Sequence, residues 1–318
     1  MRPSVAFAIT MLVGCTKKTD EPAKRSPETP SVPQGSGKAP PPAPSGPNAA
    51  NIEKLTGAKG KLDDKSGVFK VSVPRKDLAV TIAGTVKMTP PMGLTAWAAF
   101  QQMADHEMVM GDIVLTEDQV NPVMSVALDN GLEVTALHNH FFWDSPKVMF
   151  MHIGGMGDET TLAAAVGKVF AKLHATEGGK GEAPAKVTID PAKSKLDAAK
   201  IDAVFGSKGD YKDGVYKATF GRTTKMGDTE VGGAMGVNTW AAFAGTDDSA
   251  IVDGDFAVLE SELQNVLKTL RKANIKIVAI HSHMANEQPR ILFLHYWGTG
   301  KTEELAQGIK AALDTQAK

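Results

Sequence analysis

Val134-Thr135-Ala136-Leu137-His138-Asn139-His140, followed by His152, returns 143 positions later as Ile277-Val278-Ala279-Ile280-His281-Ser282-His283, followed by His295. Three imidazoles kept in register in two places imply an internal duplication. The same offset carries Trp97-Ala98-Ala99-Phe100 onto Trp240-Ala241-Ala242-Phe243, Gly111-Asp112 onto Gly254-Asp255, Glu117 onto Glu260 and Pro146 onto Pro289. Upstream the offset drifts, pairing Gly67-Val68-Phe69-Lys70 with Gly214-Val215-Tyr216-Lys217 and Arg75 with Arg222, as short loop insertions would produce. A unit of roughly 120 residues is too long for a solenoid repeat and suits one compact fold.

Within each copy, short strands come first: Gly67 to Val73, Leu78 to Ala83, then a hairpin from Thr95 to Phe100 and Met108 to Leu115. An acidic start, Thr116-Glu117-Asp118, opens a helix through Val120, Val123, Met124, Ala127 and Leu128, which Gly131 ends. Pro122 is expected to kink or delay that helix in the first copy only. Strands from Glu133 to Phe141 and Val148 to Ile153 and a closing helix from Glu159 to Leu173 complete the unit. The order predicts an α+β fold of two homologous repeats, each a mainly antiparallel sheet with helices packed on one face, and a duplication of this kind is compatible with packing about a pseudo-two-fold axis.

Met1-Arg2, an apolar run from Val5 to Val13 and Leu12-Val13-Gly14-Cys15 read as a lipoprotein signal peptide. The run is too short for a spanning helix of ~20 residues. Residues 1–14 are thus expected to be removed, and Cys15, the sole cysteine, to be lipidated. Residues 15–51 are rich in Pro, Ser, Gly and Lys and are expected to be a disordered tether. Repeat 1 is assigned to 52–176, a linker to 177–200 and repeat 2 to 201–318. The expected protein is exported and lipid-anchored in the cell envelope, with the membrane as its partner through Cys15 and an envelope polymer or protein as a second candidate. A net charge of −1 and the lack of a basic stripe exclude nucleic acid as an expected partner.

Strand alternation places Val134, Ala136, His138 and His140 on one face, with Thr135, Leu137 and Phe141 opposite. A turn centred on Pro146 pairs position 140 with 152, and one centred on Pro289 pairs 283 with 295, so each third histidine joins the same face. His138, His140 and His152, and His281, His283 and His295, are therefore the candidate ligands for zinc or another divalent transition metal, which accepts neutral imidazole and would be released as the rings protonate near pH ~6. Asp144, Glu287, Asp112, Asp255, Glu117 and Glu260 are candidate supporting carboxylates; the last four also suit turn or helix-start positions. Metal-assisted hydrolysis is a subsidiary reading, and no residue receives a catalytic role. The alternative is a non-catalytic envelope binding or scaffold module with structural histidines. A cupin-like motif lacks its glycines, a copper site assisted by Met149 and Met151 fails on strand parity, and Met284 lies nearby as well. Arg75 and Arg222 could bind an anion or form surface ion pairs, and Gly155-Met156-Gly157 with Gly298-Thr299-Gly300 could precede a helix at an anion site. There is no GxSxG motif, phosphate-binding loop or catalytic cysteine.

The runs Met110-Gly111-Asp112-Ile113-Val114-Leu115-Thr116-Glu117, Val134-Thr135-Ala136-Leu137-His138-Asn139-His140 and Pro146-Lys147-Val148-Met149-Phe150-Met151-His152 closely resemble the LppY/LpqO-like family of bacterial lipoproteins. The resemblance covers both repeats, nearly everything after residue 50, and the family is a domain of unknown function. It implies lipidation, an envelope location and a tandem architecture, and it transfers no activity. The second copy departs at Ser282, where the first has Asn139, and at Asn265, where it has Pro122.

Cys15→Ser is expected to leave an uncleaved or soluble product. Mass spectrometry of the mature N-terminus with membrane fractionation checks this; processing and fractionation like the parent would remove the lipoprotein reading.

Overall fold

The computed structural model describes residues 46–317; the expected signal peptide, Cys15 and nearly all of the expected tether lie outside the described residues. The first copy runs α1 (Ala49–Thr56), β1 (Gly60–Asp63), β2 (Val68–Pro74), β3 (Thr81–Ile82), β4 (Val86–Lys87), β5 (Thr95–Gln102), β6 (Glu107–Thr116), α2 (Glu117–Asp129), β7 (Glu133–His138), β8 (Asp144–Ser145), β9 (Val148–Gly157) and α3 (Glu159–Ala175). The second runs α4 (Ala198–Phe205), β10 (Asp210–Lys212), β11 (Val215–Gly221), β12 (Thr224–Met226), β13 (Thr229–Val231), β14 (Asn238–Gly245), β15 (Ala250–Leu259), α5 (Leu263–Lys272), β16 (Lys276–His281), β17 (Ile291–Gly300) and α6 (Thr302–Leu313). The α+β duplication holds, with three helices per copy rather than the two expected. Boundaries expected at 51/52 and 200/201 fall inside α1 and α4. Each of these helices is capped by an Asn or Asp side chain, Asn48 or Asp197, and ends on a left-handed glycine, Gly57 or Gly206.

Twelve strands form one antiparallel sheet in the order β1-β2-β5-β6-β9-β7-β16-β17-β15-β14-β11-β10. The copies meet at β7 and β16, where Leu137 lies opposite Ile280, its own equivalent at offset 143. Equivalent residues facing each other across an antiparallel pair define a local pseudo-two-fold. The six α-helices of the described residues cover one face over a core continuous through both copies, from Phe69, Phe100, Ile113 and Met151 to Phe256, Leu267, Leu294 and Tyr296. Alternation along β5, with Ala96, Ala98 and Phe100 buried and Trp97 half-buried, shows which side is which.

Two side-chain amides hold the junction. Asn121 of α2 accepts from the Ile277 N–H (2.8 Å) and donates to the Ile277 carbonyl (3.2 Å). Gln264 of α5 does the same to Val134, at 2.9 Å and 3.0 Å. Asn121 and Gln264 are equivalent positions, as are Val134 and Ile277, so the clamp is reciprocal.

The expected delay at Pro122 does not occur. Helix α2 runs through the proline, and α5 in the other copy begins later, at Leu263. Residue 122 has no N–H to give to the Asp118 carbonyl, and that carbonyl instead accepts from Glu182 N–H of the linker (2.8 Å). The Asp118 carboxylate takes Gly181 N–H at 3.0 Å, so the freed position in the helix has become the linker's attachment point.

The expected register of the histidine hairpins is also corrected. His152 lies opposite Ala136, and His138 opposite Phe150, instead of 140 opposite 152; in the second copy His295 lies opposite Ala279 and His281 opposite Phe293. The connection is longer than a tight turn because residues 144–145 leave to form β8, which pairs with β3 in a small sheet β4-β3-β8. A bulge between Val134 and Ala136, matched between Ile277 and Ala279, switches parity, so Val134 joins the core with Leu137, while Ala136 and His138 face away.

Loss of one clamp amide strands a buried N–H and carbonyl. Asn121→Ala and Gln264→Ala are each expected to cost about 1–3 kcal/mol in urea unfolding, with similar losses for both. Glu107, where the second copy has Ala250, is 2 % exposed and neither carboxylate oxygen has a hydrogen-bond partner among the described residues. Burial, aided by the charge of Glu159, pushes it up to about 7. An acid whose folded value is raised stabilises the fold below the ordinary carboxylate range, and that contribution is lost as pH rises to about 7. Glu107→Gln is therefore expected to raise Tm more at pH ~8 than at pH ~5; equal shifts at both would contradict the burial.

Candidate metal centre

The face of the sheet away from the helices carries one row of side chains in each copy. Trp97, Asp112, His152 and Ala136 lie opposite one another across β5, β6, β9 and β7, and Trp240, Asp255, His295 and Ala279 across β14, β15, β17 and β16. Asp112 and Asp255 therefore sit mid-strand, not in turns. Their glycine neighbours answer a packing need: a Cβ at Gly111 would lie 2.7 Å from the Trp97 carbonyl, and one at Gly254 2.3 Å from the Tyr296 hydroxyl.

In the second copy, ligand atoms of Asp255, His281 and His295 all lie within 4.8 Å of one another. The His281 and His295 rings stack at 4.9 Å between centroids. His283 completes the expected triple from beyond the strand end: its Nε2 is 3.1 Å from His281 Nε2 and 3.6 Å from Asp255 Oδ2. Its ring is held by stacking on Phe293 at 3.5 Å, at the margin of a small core of Val237, Ala257, Ile291 and Phe293. In the first copy His138 lies 5.1 Å from both His140 and His152 between ring centroids, and His140 stacks on Phe150 at 3.3 Å. Among the described residues, this set does not close to the separation seen in the second copy. The structure thus brings each histidine triple together, its middle member placed from beyond the strand end and not by strand parity, and sets the candidate carboxylate Asp112 or Asp255 beside it on the neighbouring strand.

The electrostatics favour uncharged rings. Burial and the neighbouring imidazoles hold His281 below its usual range, burial and His295 do so for His283, and burial does so for His140 against the opposing pull of Asp112. Burial pushes Asp255 up to about 6, with His295 opposing. Asp255 Oδ1, Asp112 Oδ1 and His281 Nδ1 are buried without a hydrogen-bond partner among the described residues. Unsatisfied buried acceptors beside neutral imidazoles are what a cation would satisfy. The donor set, two or three imidazoles and one carboxylate, fits zinc and its divalent neighbours.

The other candidate carboxylates serve elsewhere. Asp144 accepts from Val148 N–H and Glu287 from Ile291 N–H, equivalent bonds that close the loop after each HxH. Glu117 and Glu260 are exposed at the α2 start and before α5, near Lys147 (3.7 Å) and Arg290 (4.0 Å). Arg75 is buried, not at the surface, bonding Asp77, Gln119 and the Val114 carbonyl; half-buried Arg222 pairs with Glu262 and reaches the Ala257 carbonyl. Neither is free for an anion. Gly155 and Gly298 lie within β9 and β17, where a Cβ would press on Leu162 or Leu305 at 3.1–3.2 Å, so they admit the closing helix. Met151 is in the main core and Met149 packs against it, away from the histidines. The signal missed in the sequence was the pairing of Gly-Asp with the third histidine, both already in register at offset 143.

The family described as DUF1529: Domain of Unknown Function (DUF1259) matches the chain twice, over residues 50–172 and 199–315. No curated protein matches significantly. Among solved structures there is a similarity to the crystal structure of a trimeric bacterial microcompartment shell protein, PduB, at 11% identity, covering 80% of this chain and 89% of that one. Its TM-score of 0.17 establishes no common fold.

Proposed function

We propose, for a chain that belongs to the DUF1529 (Domain of Unknown Function DUF1259) family and carries that domain twice, that it binds a divalent transition metal, zinc in the first instance, through Asp255, His281 and His295. The observation that carries the reading is the convergence of those three ligand atoms within 4.8 Å, with a carboxylate oxygen and a ring nitrogen of the set buried and unpartnered among the described residues. His283 stands ready as a further ligand: its separation of 3.1 Å from the His281 nitrogen is close to the edge, about 3.3 Å, of a tetrahedron with bonds of ~2.0–2.1 Å. A bound divalent ion would supply Lewis acidity, and metal-assisted hydrolysis of an envelope substrate is the activity this site would extend to. The protein's own contribution is to disfavour the charged forms of His281 and His283, to fix His283 against Phe293, and to hold Asp255 on the adjacent strand.

The location belongs to the same reading. The lipobox ending at Cys15, and the resemblance to LppY/LpqO-like lipoproteins, support an exported protein anchored by lipid in the cell envelope. Among the described residues no helix is long and apolar enough to cross a membrane.

Elemental analysis of protein purified without chelator or metal-affinity steps is expected to find bound metal that His281→Ala with His295→Ala removes. Asp255→Asn should weaken affinity by at least about tenfold. His138→Ala with His152→Ala should leave the second copy's metal in place. Metal-free protein whose zinc affinity is indifferent to His281 and His295 would leave those histidines structural.

A further inference from the structure

Phe142 and Trp143 stand out as adjacent aromatic side chains at the surface, 73 % and 81 % exposed. They lie in the loop between β7 and β9, and Trp143 has φ +58°, in the left-handed region. Bulky residues rarely adopt that conformation, whereas Asn does so more readily. The duplicate is an internal control: its equivalent positions are Ala285 and Asn286, and Asn286 has φ +68°. The fold therefore needs a left-handed residue here and does not need an aromatic one. The first copy places tryptophan at a position where it is strained, and leaves it exposed. Its backbone is held by Ala83 N–H donating to the Trp143 carbonyl (3.0 Å), so the loop is tied to β3 while its side chains project. Strain and exposure together, without compensating packing, point to a use outside the fold.

We propose that Phe142 and Trp143 form an interfacial anchor that inserts into the headgroup region of a phospholipid bilayer. Trp and Phe at a loop tip have the chemistry of that boundary, an apolar body with, in Trp, a polar N–H. The inference rests on the reading that Cys15 carries lipid, which places the body beside a membrane. Thirty residues separate Cys15 from Gly46, the first described residue. The chain enters the body at Asn48, whose N–H donates to Glu159 just beyond the end of β9. The aromatic loop lies at the other end of that ten-residue strand, ~30 Å away. Thirty residues have a contour of up to ~3.3–3.6 Å each, enough for the lipid and the loop to reach one surface together. Two-point attachment of this kind makes a weak second contact effective, because the first holds it at high local concentration.

The test uses the mature-length chain, residues 15–318 with Cys15→Ser, which has neither the apolar run Val5–Val13 nor a lipid, with unilamellar vesicles of phosphatidylethanolamine and phosphatidylglycerol. Co-flotation and a blue shift of tryptophan emission are expected. Phe142→Ala with Trp143→Asn, which gives the loop the residues of the second copy, should lower partition by at least about tenfold. That variant should fold at least as well as the parent, since it relieves the left-handed tryptophan. Equal partition for both chains, or none, overturns the proposal. Binding to purified peptidoglycan that the double variant loses, with vesicles untouched, overturns it in favour of a polymer ligand. The lipid on Cys15 is read separately from the mass of the mature N-terminus, so either reading can fail without the other.

Discussion

The reciprocal amide clamp is the contact on which the rest of the architecture depends. Helices α2 and α5 each send one side-chain amide across the pseudo-two-fold to bond both backbone groups of a strand residue in the other copy, at Ile277 and Val134. Those residues sit at the start of the bulges in β16 and β7, beyond the point where the two strands pair at Leu137 and Ile280. Without a ladder partner there, the backbone groups would be buried and unpaired, at a cost comparable to a lost hydrogen bond each. The clamp thus satisfies the bulge, and the bulge sets parity: it puts Val134 in the core and His138 on the face away from the helices. Site geometry follows from a contact on the opposite side of the sheet.

The two copies share this frame and differ in how they use it. Both place an aspartate beside a histidine mid-sheet, and both lay the HxH terminal ring on a phenylalanine, Phe150 or Phe293. Only the second draws its ligand atoms together among the described residues. The first keeps a three-stranded flap, β4-β3-β8, and the aromatic loop tied to it. The same scaffold therefore presents a polar cluster in one half and an apolar projection in the other.

Much of this was legible in the sequence because the duplication acts as its own alignment. The strands from Thr95 to Thr116, helix α2, the closing helix and the shared face of the first and third histidines all follow from periodicity applied twice. What escaped has physical reasons. Helices α1 and α4 are short segments beside Pro- and Gly-rich runs, so composition masked the Asn48 and Asp197 caps. The hairpin register failed because a turn centred on Pro146 assumes a tight connection, while Asp144 and Ser145 pair with β3. The register is off by four residues, Ala136 and not His140 standing opposite His152, and an even error keeps His138 and His152 on one face. The partnership of Asp255 with His295 joins strands 30 and more residues apart and has no local signature. Helix α2 starts on time despite Pro122 because the Asp118 carbonyl that residue 122 leaves free is taken by Glu182 N–H, a contact 60 and more residues away in sequence.

The pseudo-two-fold at β7 and β16 has a consequence for cohesion. A contact in which Leu137 meets Ile280, and Asn121 and Gln264 exchange roles, is isologous: each half offers the same patch and receives the same patch in return. One half in isolation would present β7 as a raw sheet edge, with an unpaired Val134 backbone and an amide reaching into water. Only another surface of its own kind could complete it. The covalent join through residues 177–197 therefore does for a single chain what self-association does for symmetric dimers, and makes the completeness of the sheet independent of protein concentration.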